Sequence, residues 1–172
     1  QAISRLDAFM QGGGTVLFDT RDQLTASFSG AASSPENQRL RDILRGLNIP
    51  PLEPVPPDHV LTKAFYLLET FPGRYATGQL WVESLDETPT ASGERPVRAG
   101  DGVSPILITG NDFAGAWAID DTGNFLFPMV PDDSVQRDYA FRSGVNIVMY
   151  SLTGNYKADQ VHIPALLERL GQ

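Results

Sequence analysis

Apolar residues recur along this chain in two rhythms, and the alternation between them outlines its elements. Ile3, Leu6, Phe9 and Met10 fall at helical spacing. Gly12-Gly13-Gly14 ends that run before Thr15-Val16-Leu17-Phe18-Asp19, an apolar stretch closed by a carboxylate. This reads as a helix followed by a buried strand, half of an α/β unit. The helical rhythm returns at Leu40, Ile43, Leu44 and Leu47, entered through Pro35-Glu36-Asn37 after a flexible loop at Gly30–Ser34. Gln79–Glu83 and Pro105–Thr109 read as strands, Gly110–Gly115 as a turn and Ala116–Ile119 as an extended segment. Asp120–Asn124 then turns the chain into Phe125–Pro128, which predicts a hairpin. Phe141, Val145, Val148, Met149 and Leu152 predict a helix capped by Gly154, and a last helix is predicted over Pro164–Leu170. Trp81 and Trp117 are expected in the sheet core.

Between these elements, Pro50–Pro57 reads as a stiff surface loop, and Ser84–Ser104 is polar and without periodicity. Loops of the latter length inside a compact domain are usually functional or disordered. A parallel sheet normally places a strand before its first helix, so this chain is expected to be a fragment of a longer protein. A chain of 172 residues fits a single α/β domain spanning 1–172, and folding at that size buries roughly 70% of the unfolded surface without a covalent staple.

Charge and composition remove several functions. Lys and Arg number 13 against 21 Asp and Glu, a formal charge of -8. That balance repels phosphate backbones and anionic lipid headgroups, so nucleic acid is not an expected partner. No stretch approaches the ~20 apolar residues of a spanning helix, so direct membrane insertion by this segment is not expected either. The chain has no cysteine, which excludes disulfides, thiolate zinc sites and cysteine nucleophiles. No Gly-x-Ser-x-Gly elbow, phosphate loop or complete Gly-x-Gly-x-x-Gly is present. His59 and His162 are isolated from other ligands, and Asp120–Asn124 lacks the alternating pattern of a calcium loop, so neither metal nor cofactor is expected.

Four stretches taken together carry a further signal. The run Arg142-Ser-Gly-Val-Asn146-Ile-Val-Met-Tyr150-Ser-Leu-Thr-Gly154-Asn-Tyr156-Lys157, with Gly-Gly-Thr-Val-Leu-Phe-Asp near the start, Asp58-His59-Val-Leu in the middle and Gly110-Asn111-Asp112 later, resembles the bacterial domain-of-unknown-function family 4159. The resemblance implies a three-layer α/β sandwich with a glutamine amidotransferase-like, flavodoxin-like sheet, whose first strand is expected to lie upstream. It also implies a soluble domain at the C-terminal end of a large membrane-anchored bacterial protein, associated with the inner membrane. Class I amidotransferases attack the glutamine amide with a thiolate, so that chemistry is excluded here.

In open α/β sheets ligands sit beyond the carboxyl ends of strands. Asp19 and Arg21 after the first strand, and Asn111 and Asp112 after Ile106–Thr109, are therefore ligand-binding candidates, with His59 joining them from its loop. The planar fork of Arg21 suits a carboxylate or phosphate. Turn chemistry offers another account, in which Asn111-Asp112 caps a turn and Asp19 caps the following segment. Arg142 and Asn146, one helical turn apart, either pin a neighbouring loop or bind ligand. Tyr150, and Tyr156 with Lys157, either dock a protein partner or pack at the core and edge.

Two functions follow. The preferred one is a non-catalytic binding or scaffold domain, partnered by another protein or by other domains of the parent, with a small polar ligand at the strand ends. The alternative is a hydrolase acting on a small polar substrate, in which Asp19 or Asp112 activates water with His59. It requires two of those groups within hydrogen-bond reach in one pocket. A purely structural interaction module would instead show a sizeable exposed apolar patch.

Overall fold

A computed structural model describes residues 1–23, 34–49, 51–84 and 103–154. Its elements run α1 (Ala2–Gln11), β1 (Val16–Asp19), α2 (Pro35–Leu44), β2 (Leu52–Pro54), a 3-10 turn (Val60–Lys63), β3 (Trp81–Glu83), β4 (Ile106–Thr109), α3 (Phe113–Trp117) and α4 (Gln136–Thr153). The strands form an open mixed sheet in the order β1-β4-β3-β2. β1 and β4 are parallel, with Val16 opposite Ile106 and Asp19 opposite Thr109, and the remaining pairs are antiparallel.

Side chains alternate across a strand, and the parallel pair β1 and β4 is apolar on both faces. Val16, Phe18, Ile106 and Ile108 pack with Leu6 and Met10 of α1 and with Ile43 and Leu44 of α2. On the opposite face, Leu17, Leu107 and Val82 meet Leu61, Phe71, Phe113, Ile147 and Tyr150. α2 begins where the sequence places it, because Ser34 accepts the Asn37 N–H at 3.1 Å and Pro35 fills the first turn. α4 ends at Gly154, whose φ of 55° and N–H bond to the Tyr150 carbonyl close the helix.

Four readings of the sequence change. Part of the Pro50–Pro57 segment is strand β2, since an edge strand tolerates proline where no ladder donor is needed. The expected turn and extended segment over 110–119 instead contain helix α3, with Asp112 as its cap. The hairpin reduces to one bridge, Ile119 with Phe125, around a loop tied by Asp120. Trp81 is 39% exposed rather than in the core, whereas Trp117 stacks on Phe113 and donates its indole N–H to the Ala140 carbonyl.

The largest surprise is the orientation of α4. Its apolar stripe faces outward, and its buried face carries Gln136, Ala140, Ser143, Asn146, Ile147 and Tyr150. Small side chains let Trp117 press against the helix: a Cβ on Gly144 would lie 2.8 Å from the indole. The loop at 30–33, most of the polar stretch 84–104 and the predicted helix at Pro164–Leu170 lie outside the described residues.

Candidate functional site at the ends of the parallel strands

The chain leaves β1 and β4 through two left-handed residues. Arg21 and Asp112 both have φ of 56°, a conformation that costs a non-glycine residue roughly 1–2 kcal/mol. Asp112 offsets part of this by capping α3, accepting the Gly115 N–H at 3.0 Å.

Asp19, at the end of β1, joins the two reversals. Its carboxylate accepts the N–H groups of Asp112 at 3.0 Å, Phe113 at 2.6 Å and Arg21 at 3.2 Å. Burial raises its pKa, and this outweighs the backbone donors that favour the charged form. The side chain is thus a strut between strands. Asp22 is similarly committed, accepting from Thr20, Ser34 and Asn37 side chains and so tying the exit of β1 to the start of α2. Asn111 is fully buried and donates to the carbonyls of Phe71 at 2.9 Å and Gly78 at 2.8 Å.

These bonds bring the 71–78 loop over the strand ends. Gly73 lies so close to Asn111 that a Cβ would sit 2.3 Å from its carbonyl oxygen. The Arg74 and Tyr75 N–H groups bond to the carbonyls of Asp112 and Asn111, and Gln136 of α4 donates to the Gly73 and Arg74 carbonyls. Arg74 is thereby aimed into the cleft. Its Nε donates to Pro128 O at 3.0 Å, and Nη1 reaches the Tyr75 hydroxyl at 3.2 Å and Asp112 Oδ2 at 3.5 Å. The Tyr75 and Phe127 rings lie 5.3 and 5.4 Å from the guanidinium carbon. The resulting cleft has a volume of about 500 Å³ and is lined by Thr20, Arg21, Glu36, Arg74, Tyr75 and Asp112 among others. Arg21 makes no ion pair with another described residue.

A family model described as a domain of unknown function, DUF4159, matches residues 1–152 and so contains every wall of this cleft. The chain belongs to the DUF4159 family. No curated protein matches it. In this DUF4159 domain the structure gathers Asp19, Arg21, Asn111 and Asp112 at one end of the sheet, but only Arg21 and Asp112 line the cleft. Arg74 has no place among the sequence candidates. Its one sequence signal is the Pro72-Gly73 turn that precedes it.

His59 lies elsewhere. Its Nδ1 accepts the Leu61 N–H at 3.2 Å, capping the 3-10 turn, and its ring lies 5.4 Å from that of Tyr150. Burial lowers its pKa below 6.5. A folded pKa below the unfolded value gives stability that is present above pH 6.5 and lost as pH falls through the folded pKa. Urea unfolding of the wild type is expected to show this loss on acidification, and His59→Asn, which retains a capping acceptor, is expected to lose that part of the slope.

The remaining candidates sit in or around α4. Asn146 is fully buried and pins the 61–66 segment, accepting the Tyr66 N–H and donating to the Leu61 and Tyr66 carbonyls, each at 2.8 Å. Arg142 pairs with Asp138 at 2.6 Å and lies over the Tyr66 and Tyr139 rings. Tyr150 is a core residue whose hydroxyl accepts the Ser104 N–H at 2.6 Å. Tyr156 and Lys157 lie outside the described residues. Among the described residues, no group of three acidic or histidine side chains is set to hold a metal, and no helix is long and apolar enough to cross a membrane.

Proposed function

We propose that this is a non-catalytic binding domain whose cleft takes a small polar ligand bearing a carboxylate or phosphate. We further read the sheet, with a core on each face, as an amidotransferase-like sandwich without its nucleophile, serving a membrane-anchored bacterial protein and its partners. One observation carries the binding reading. Arg74 is held in place by a carbonyl, a hydroxyl, a carboxylate and two rings, yet is still part of the cleft wall. A guanidinium ordered before the ligand arrives loses little entropy on binding an oxyanion. The polar lining and size of the cleft suit a small charged molecule. Hydrolysis is less well supported, because Asp19 and Asp112 are committed to backbone N–H groups and His59 does not line the cleft.

Thermal unfolding against glutamate, citrate, inorganic phosphate and a nucleoside monophosphate tests this. A ligand at a hundred times its Kd is expected to stabilise the wild type by about 2.7 kcal/mol. The shift is expected to shrink in Arg21→Ala and to vanish in Arg74→Lys, which keeps the charge but loses the fork. The probe class that stabilises separates carboxylate from phosphate. No shift with any of them, or shifts unchanged in both variants, would remove the cleft from consideration.

A further inference from the structure

We infer that the cleft continues past Arg21 into a second subsite, and that the ligand is an amphipathic acid whose uncharged, apolar body lies there. The inference rests on the oxyanion reading of the cleft and names what else that ligand carries. A second cavity, of about 230 Å³, lies between the end of β1 and α2, and it shares Thr20, Arg21 and Glu36 with the cleft. Three common lining residues make the two cavities neighbours across one rim. The remaining wall is formed by Phe18, Asp19, Arg39, Leu40 and Ile43.

The sequence builds this wall from α2. Glu36, Arg39, Leu40 and Ile43 recur at helical spacing and so share one face of that helix. The Asp22 carboxylate accepts from the Ser34 and Asn37 side chains, which holds the start of α2 at the exit of β1. The subsite is therefore formed before a ligand arrives. Its chemistry differs from that of the cleft. Leu40 is buried, and Phe18 and Ile43 are half-buried, leaving apolar surface for a ligand to cover. The charged side chains around it are two of each sign, Asp19 and Glu36 against Arg21 and Arg39, so it exerts no net pull on a second anion. A fixed guanidinium in one cavity and apolar surface in the next suit a charged head with an uncharged body: an alkyl or aryl carboxylic acid, or the corresponding phosphate monoester.

Titration of the full chain, followed by amide chemical shifts, tests this with two series: acetate, butyrate and hexanoate, and methyl, butyl and hexyl phosphate. In the series whose head group binds, affinity is expected to rise by about two- to fourfold for each added methylene. Ile43→Asn is expected to remove most of that rise, and Arg74→Lys to weaken every member, long and short. One readout needs no variant: the amides of Arg39, Leu40 and Ile43 are expected to shift with the longest member and not with the shortest. A Kd that stays flat along the series, or α2 amides that respond alike to long and short members, would overturn the subsite and leave the oxyanion reading standing. Binding by no member of either series would overturn both. A rise with chain length that survives in both variants would put the apolar contact elsewhere on the protein and overturn the inference as well.

Discussion

Asp19→Ala is expected to cost about 2–4 kcal/mol of folding stability, since two of its three backbone donors belong to buried residues and each such loss of a charged acceptor costs about 1–3 kcal/mol. Those two are the N–H groups of Asp112 and Phe113. Desolvation of the carboxylate, the cause of its raised pKa, offsets part of the gain and holds the figure below the sum of two full bonds. Asp19→Asn is expected to fall between wild type and alanine, because an amide offers one acceptor where two donors converge. Chemical denaturation with an unchanged m-value checks both. A loss under 0.5 kcal/mol, the range of an ordinary surface substitution, would mean that Asp19 is not a strut.

The second large effect is expected at Asn146. Asn146→Ala strands one N–H and two carbonyls of the 61–66 segment, and a loss of about 3 kcal/mol follows from leaving several buried groups without partners. Asn146→Asp is expected to be at least as damaging, since a carboxylate would accept from Tyr66 but face the two carbonyls. Hydrogen exchange at the Tyr66 amide gives a local readout, with protection lost in either variant. Retained protection would show that the loop is held by packing alone.

Elements with a strong rhythm were legible in the sequence, and so were caps with side-chain chemistry. α1, β1, α2 and β4 combine apolar spacing with clear punctuation at Gly12–Gly14 and Ser34-Pro35. β2 was hidden by proline, whose cost depends on whether a strand lies at the edge, a tertiary fact. α3 spans five residues, too few for periodicity, and its glycine imitates a turn. α4 was legible as a helix but its buried face was not, because hydrophobicity cannot register that a neighbouring loop needs an asparagine more than it needs a leucine. At the strand ends, fold logic located Arg21 and Asp112 but missed Arg74, which enters on a loop stitched to the site by backbone bonds with no sequence pattern.

The inverted helix also bears on which substitutions drift can accept. Along α4 the positions least able to change are its small and polar ones. Ala140, Ser143 and Gly144 have no room to grow against the core and Trp117, and Asn146 has no isostere with the same donors and acceptor. Phe141, Val148 and Leu152 can exchange among apolar residues of different shape without disturbing the sheet. Mutational tolerance along this helix therefore runs opposite to hydropathy, and a substitution matrix that penalises loss of bulk and forgives loss of a small side chain would rank its positions backwards.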